Sequence, residues 1–172
     1  GDGRVSLLVD RDLVLTAGHC AGVMPLARMR VVFNYAYTRP GTWSLDPEDI
    51  HEVEKVIHQR RDLRGAKHRL DFAFFKLSRP VGAKRAPAPI RTFTDRSTTV
   101  RDMNLVAIGA SFGLPLKIDL EGQLTDARTE PGDYFLAATD TSKGASGGGA
   151  FDRRLALVGV LSRGEDDFTE TD

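Results

Sequence analysis

The sequence predicts an all-β fold, a sandwich or barrel built from about ten short strands. Three observations carry that expectation. Short apolar or alternating runs recur at fairly even spacing along the chain. Gly, Pro, Asp and Asn punctuate the gaps between them. No segment sustains a helical period over about ten residues.

Taken in order, residues 5–9 form an apolar run, Asp10-Arg11-Asp12 reads as a turn, and residues 13–17 form a second strand. Residues 29–37 are rich in Val, Phe and Tyr and stop at Arg39-Pro40-Gly41. Residues 53–58 make another strand, followed by the basic loop Arg60-Arg61-Asp62-Leu63-Arg64. Residues 70–77 are strongly apolar, rich in Phe, and end at Arg79-Pro80. Residues 82–104 are loop-rich, and Pro87 and Pro89 suit a segment crossing between two halves better than a central strand. Beyond it, residues 105–110, 117–125, 134–139 and 155–161 complete the strand set, with Gly113 and Pro115 breaking the first of these from the second.

The chain has 172 residues, enough for one domain or two small halves sharing a core. Hydrophobic residues make up 41% and charged residues 28%, an ordinary balance for a globular protein. Lys plus Arg is 24 and Asp plus Glu is 24, so the formal net charge is zero and a general nucleic-acid binder is disfavoured. Cys20 is the only cysteine, which excludes an intrachain disulfide and a cysteine-rich metal site. No apolar run reaches the roughly 18 residues of a membrane helix. His51 and His58 stand seven apart on a strand-like stretch and fall on opposite faces, so no metal site and no cofactor are expected.

Three stretches carry chemistry. Gly144-Ala145-Ser146-Gly147-Gly148-Gly149 surrounds a serine with residues that tolerate a tight turn and close backbone approach. A flexible Gly/Ser loop would have the same composition. Leu13-Val14-Leu15-Thr16-Ala17-Gly18-His19 runs a strand into small residues that would aim His19 rigidly, as a general base requires. Asp71 opens an apolar strand, where a carboxylate needs a partner, and a histidine N–H would supply one.

Together these residues resemble the chymotrypsin-like (trypsin-like) serine peptidases. The resemblance rests on Thr16-Ala17-Gly18-His19-Cys20, Asp71-Phe72-Ala73-Phe74 and Gly144-Ala145-Ser146-Gly147-Gly148, in the order His, Asp, Ser. It covers roughly residues 5–164. The stretches Ile108-Gly109-Ala110-Ser111-Phe112-Gly113-Leu114-Pro115, Val31-Val32-Phe33-Asn34-Tyr35 and Asp140-Thr141 resemble the bacterial branch. The resemblance implies two six-stranded antiparallel β-barrels with the site in the cleft between them. The first barrel would span residues 1–85 and the second 100–172, in one domain trimmed at both ends.

The resemblance also assigns roles. Ser146 is the nucleophile, His19 the general base and Asp71 its orienting acid. The N–H groups of Gly144 and Ser146 form the oxyanion hole. Ser162, Arg163 and Gly164 form the edge on which an extended peptide pairs. Asp140 and Thr141 line the primary specificity pocket, where an acid selects Arg or Lys; Asp140 capping its own loop through Thr141 or Ser142 is the other reading. Leu161 stands where glutamyl endopeptidases carry a histidine, which disfavours Glu substrates.

Some positions depart from the family. Ala145 replaces the acid that pairs with a new N-terminal amine in trypsins, so that activation switch is not expected. Gly149-Ala150 replaces Gly-Pro. Cys20 lacks its usual partner and reads as a small buried residue. The functional expectation is therefore a serine endopeptidase acting on protein or peptide substrates. The alternative is a latent or non-catalytic peptidase-like module that needs a regulatory partner or a larger parent chain. An extracytoplasmic bacterial setting is favoured by kinship, although a lone cysteine leans toward a reducing compartment.

Overall fold

A computed structural model describes residues 4–62, 66–92, 103–111, 114–127, 133–142 and 144–164. Leu63 and Arg64 of the basic loop, Phe112 and Gly113, Lys143 and both chain ends lie outside the described residues.

Ten strands form two five-stranded antiparallel sheets among the described residues. The first sheet has the order β1-β2-β5-β4-β3, from β1 (Leu7–Asp10), β2 (Leu13–Thr16), β3 (Arg30–Val32), β4 (Ile50–Arg61) and β5 (Asp71–Leu77). The second has the order β10-β9-β6-β7-β8, from β6 (Asn104–Gly109), β7 (Lys117–Asp126), β8 (Leu136–Ala138), β9 (Gly149–Phe151) and β10 (Leu157–Val160). The two-barrel expectation holds, with five described strands in each half where six were expected.

The Phe-rich strand β5 is central because its alternation is unbroken. Asp71, Ala73, Phe75 and Leu77 are buried, while Phe72, Phe74 and Lys76 are half-buried. Val14, Val53, Ala73, Phe75 and Leu77 fill the first half, and Leu105, Leu124 and Ala150 the second. A third cluster of Leu7, Phe151 and Leu157 joins strands of both sheets. Within the expected crossing segment, Ala88 and Pro89 reach strands of both sheets, and residues 93–102 lie outside the described residues. Ala88 N–H donates to Leu8 O at 2.8 Å, and Leu157 N–H donates to Pro89 O at 2.7 Å.

Several element boundaries differ from expectation. The strand expected over 29–37 stops at Val32. Asn34 then takes a left-handed φ of 57° and turns its amide to both oxygens of the buried Asp49 at 3.2 Å. β4 is longer than expected because its second half carries exposed polar residues that pair along β5 without an apolar pattern. β9 went unrecognised because its glycine-rich start looks like loop. The strand expected from 155 begins at Leu157, since Asp152 gathers the turn before it. Asp152 Oδ1 accepts the N–H groups of Arg154 and Ala156, both at 2.9 Å, and Leu155 adopts a φ of 59°.

His51 is fully buried and edge-on to Phe33, and among the described residues neither ring nitrogen has a partner in good hydrogen-bonding geometry. Burial foremost, then the nearby Arg79 charge, lowers its pKa below the ordinary 6.5; backbone groups of Arg79 and Glu48 oppose this only in part. The folded state therefore binds this proton less tightly than the unfolded state. Its contribution to stability is complete above pH 6.5 and is lost as pH falls below that value. Thermal unfolding between pH 8 and pH 5 should show a smaller acid loss in His51→Leu than in the wild type; equal slopes would remove His51 as the cause.

Candidate active site

His19 is mounted by close backbone packing. β2 ends at Thr16, Ala17 is fully buried, and Gly18–Cys20 form one 3-10 turn closed by Cys20 N–H to Ala17 O at 3.0 Å. A Cβ on Gly18 would overlap the Arg60 carbonyl oxygen and stand 2.8 Å from the Phe72 nitrogen, so only glycine lets the turn lie on β4 and β5. Gln59 Nε2 holds the turn from β4 by donating to Gly18 O at 2.8 Å.

That placement brings His19 onto Asp71, the first residue of β5. The His19 N–H donates to Asp71 Oδ1 at 2.8 Å, and Nδ1 meets Oδ2 at 2.7 Å. A carboxylate only accepts, so Nδ1 carries the proton and Nε2 is left as an acceptor. The Asp71 side chain is 3% exposed and that of His19 25%. Burial is the largest influence on Asp71 and works to raise its pKa. The Ser162 hydroxyl, the His19 ring and charge and the His19 N–H together outweigh it, so the carboxyl sits below its ordinary value.

Ser146 lies on a loop anchored by backbone. Gly147 N–H donates to Leu161 O at 2.8 Å, Leu161 N–H to Gly148 O at 2.8 Å, and Val5 N–H to Ser146 O at 3.1 Å. Gly147 has a φ of 87°, and a Cβ there would overlap the Val5 carbonyl oxygen and the Thr16 hydroxyl. Gly144 has a φ of 98°. Among the described residues, no protein acceptor engages the N–H of Gly144 or of Ser146.

Ser162 connects the pieces. Its hydroxyl donates to Asp71 Oδ2, and its carbonyl oxygen lies 3.5 Å from Ser146 Oγ. Among the described residues no hydrogen bond joins Ser146 to His19. The sequence reading placed Ser162 on the substrate edge and missed its contact with Asp71, which no local pattern signals across 91 positions. After Leu161, residues 162–164 make no backbone–backbone hydrogen bond among the described residues, and Arg163 and Gly164 are exposed. A Cβ on Gly164 would meet nothing within 4 Å.

Asp140, expected to line the specificity pocket, has a solvated carboxylate. Its side chain is 79% exposed, and Lys117 Nζ lies 2.5 Å from Oδ2. Its N–H donates to Asp119 Oδ2 at 2.7 Å. Among the described residues no hydrogen bond joins its carboxylate to Thr141 or Ser142: Thr141 pairs with Thr139 at 2.8 Å, and Ser142 N–H donates to Ser111 Oγ at 3.3 Å. The physical reason is that Asp140 follows the short edge strand β8, which leaves its carboxylate in solvent beside β7. Cys20 is buried and unpaired, and burial pushes its thiol pKa up, which suits packing and not nucleophilic attack. His51 is buried, whereas His58 is exposed and lies against Phe72.

Residues 5–160 match the family described as the trypsin-like peptidase domain. The structure is similar to the crystal structure of Rv3671c protease in an inactive form, with a TM-score of 0.61 and 15% identity, covering 97% of this chain and 75% of that one. It is also similar to a serine-to-alanine mutant of Rv3671c from M. tuberculosis H37Rv, inactive form, with a TM-score of 0.60 and 13% identity, covering 91% of this chain and 69% of that one. At these identities the likeness concerns the fold. A search of the curated proteins finds no match.

The loop geometry sets a stability expectation. Gly147→Ala should cost on the order of 3 kcal/mol or more, because φ strain adds to overlap with atoms that cannot move independently. Asp140→Asn removes only an exposed ion pair and should change stability by less than about 1 kcal/mol. Chemical denaturation of both variants checks this; similar midpoints would contradict the account of Gly147.

Proposed function

The chain belongs to the trypsin-like peptidase domain family, and from that premise we propose that it is a serine endopeptidase working through Ser146, His19 and Asp71. The observation that carries the reading is the two-point grip of the buried Asp71 carboxylate on His19, through the backbone N–H and Nδ1. That grip presents Nε2 as a base, and Ser162 links the same carboxylate to the Ser146 loop.

The division of labour is carried over from the family. Ser146 Oγ attacks the scissile carbonyl, forming a C–O bond as its proton passes to His19 Nε2. The N–H groups of Gly144 and Ser146 receive the oxyanion. Collapse breaks the C–N bond, and His19 returns the proton to the leaving amine. Water then cleaves the acyl-enzyme by the same route. Asp71 stays ionised and stabilises the imidazolium. The substrate backbone pairs with the free edge at 162–164.

Cleavage after Arg or Lys is the finer part of the proposal, and Asp140 is its determinant. The structure gives it limited support, because the carboxylate is solvated and Lys117 already answers its charge. A substrate cation would have to displace the Lys117 ammonium. An exposed pair of this kind is worth about 1 kcal/mol or less, so the exchange is inexpensive. A second reading, a latent peptidase, is favoured by one observation: Ser146 Oγ faces the Ser162 carbonyl and makes no hydrogen bond to His19 among the described residues.

A fluorophosphonate probe should form a stoichiometric adduct on Ser146, located by mass spectrometry and abolished in His19→Ala. Ser146→Ala should lower turnover on the order of 10⁶-fold. No adduct on folded protein would favour the latent reading, and full hydrolysis by the Ser146→Ala variant would sink the assignment. For specificity, Lys117→Ala should raise kcat/KM on Arg and Lys peptides relative to neutral ones, and Asp140→Asn should lower it. An unchanged ratio in both variants would detach Asp140 from substrate choice.

A further inference from the structure

Thr16 occupies a junction that the catalytic roles above do not use. It is the last residue of β2, three before His19, and pairs with Ala73 of β5, two after Asp71. It is 1% exposed. Its hydroxyl donates to the Val5 carbonyl oxygen at 2.6 Å. The same residue, Val5, donates its N–H to the Ser146 carbonyl oxygen at 3.1 Å. Gly147 closes against both groups, since a Cβ on it would overlap the Val5 carbonyl and the Thr16 hydroxyl alike.

We infer that Thr16 is a positioning residue for the nucleophile: through the Val5 peptide, its hydroxyl ties the strand that carries His19 to the loop that carries Ser146. The inference rests on the peptidase reading for its effect on rate, though the tie itself does not. Val5 is 7% exposed, so water cannot readily replace the Thr16 hydroxyl as donor to its carbonyl. A β-branched isostere without the hydroxyl leaves that buried oxygen unanswered. The Val5 peptide is then free to shift, and Ser146 O and Gly147 lose their backing. A serine displaced by about 1 Å from its base forfeits on the order of 10²-fold in rate. Among the described residues no hydrogen bond joins the substrate edge at 162–164 to Thr16 or Val5, so substrate affinity should change little.

The test compares Thr16→Val, Thr16→Ser and Thr16→Ala in the full chain. It measures kcat and KM on a peptide substrate, the rate of fluorophosphonate labelling of Ser146, and amide hydrogen exchange at Gly147 and Gly148. Thr16→Val should lower kcat and the labelling rate by about 10- to 100-fold, with KM little changed. Exchange at Gly147 should speed up while amides of β4 and β5 keep their protection. Thr16→Ser should restore all three readouts to within about threefold of wild type. Should Thr16→Val fail to fold, Thr16→Ser and Thr16→Ala, which differ in the hydroxyl, make the same comparison. Wild-type kcat and exchange in a folded Thr16→Val or Thr16→Ala protein would overturn the inference. So would a Thr16→Ser variant as impaired as Thr16→Val, since the methyl group would then be what matters. If the wild-type protein takes no probe, the active-peptidase reading gives way to the latent one, and exchange at Gly147 still decides whether Thr16 holds the loop.

Discussion

A charged carboxylate survives burial only when donors reach its oxygens. Asp71, with a side chain 3% exposed, meets that condition by drawing on both halves of the molecule. His19 supplies two N–H donors from the turn after β2, and Ser162 supplies a hydroxyl from the segment after β10. The remaining local structure follows from this demand. Gly18 must be glycine for the turn to come close enough, and Gln59 must hold the turn's carbonyl from β4. The segment 161–164 must leave β10 at the height of β5. The requirement is mutual: an unpaired Asp71 would be costly to keep ionised, and an unsupported His19 would lose its tautomer.

The two halves are joined by more than this one carboxylate. Leu7 from the first sheet packs with Phe151 and Leu157 from the second. The crossing segment hydrogen-bonds to Leu8 on one side and Leu157 on the other. Val5 lies across the back of the serine loop. These contacts are mostly backbone hydrogen bonds and apolar packing, which salt does not screen and which do not titrate near neutrality. The relative placement of Ser146 and His19 therefore depends on ordinary core stability, with the charged part of the machinery confined to Asp71 and its donors.

What was legible in the sequence was what short-range pattern determines. β5 could be read because its alternation is unbroken, and His19 and Asp71 because each sits at a strand end with an unusual residue for its setting. β9 could not, because Gly149-Ala150 serves as strand while looking like the tail of a flexible loop. The second half of β4 could not, because polar residues on a pleated surface leave no apolar trace. Partners distant in sequence were invisible unless the family resemblance supplied them, as it did for His19 and Asp71 across 52 positions. Ser162 finds Asp71 across 91 positions, and Lys117 finds Asp140 across 23. The first omission left the site under-described. The second left the solvated ion pair of Asp140 unforeseen.

Ala145 shows how the loop is held without charge. It is 3% exposed, and its Cβ would stand 3.0 Å from a Cβ placed on Gly109. A carboxylate there would be buried beside backbone, at a desolvation cost that the small methyl avoids. The loop's fixed points are instead Val5 N–H to Ser146 O, Gly147 N–H to Leu161 O and Gly148 N–H to Ala145 O at 2.9 Å, all neutral. Among the described residues these fixed points carry no charge. Two of the segments that supply those contacts are the strand entered at Val5 and the edge that begins at Leu161. The second of these carries Ser162, so a peptide pairing along 162–164 would press on the carbonyl that Ser146 Oγ now faces. On the proposed reading, substrate binding and nucleophile orientation would share that one short piece of backbone.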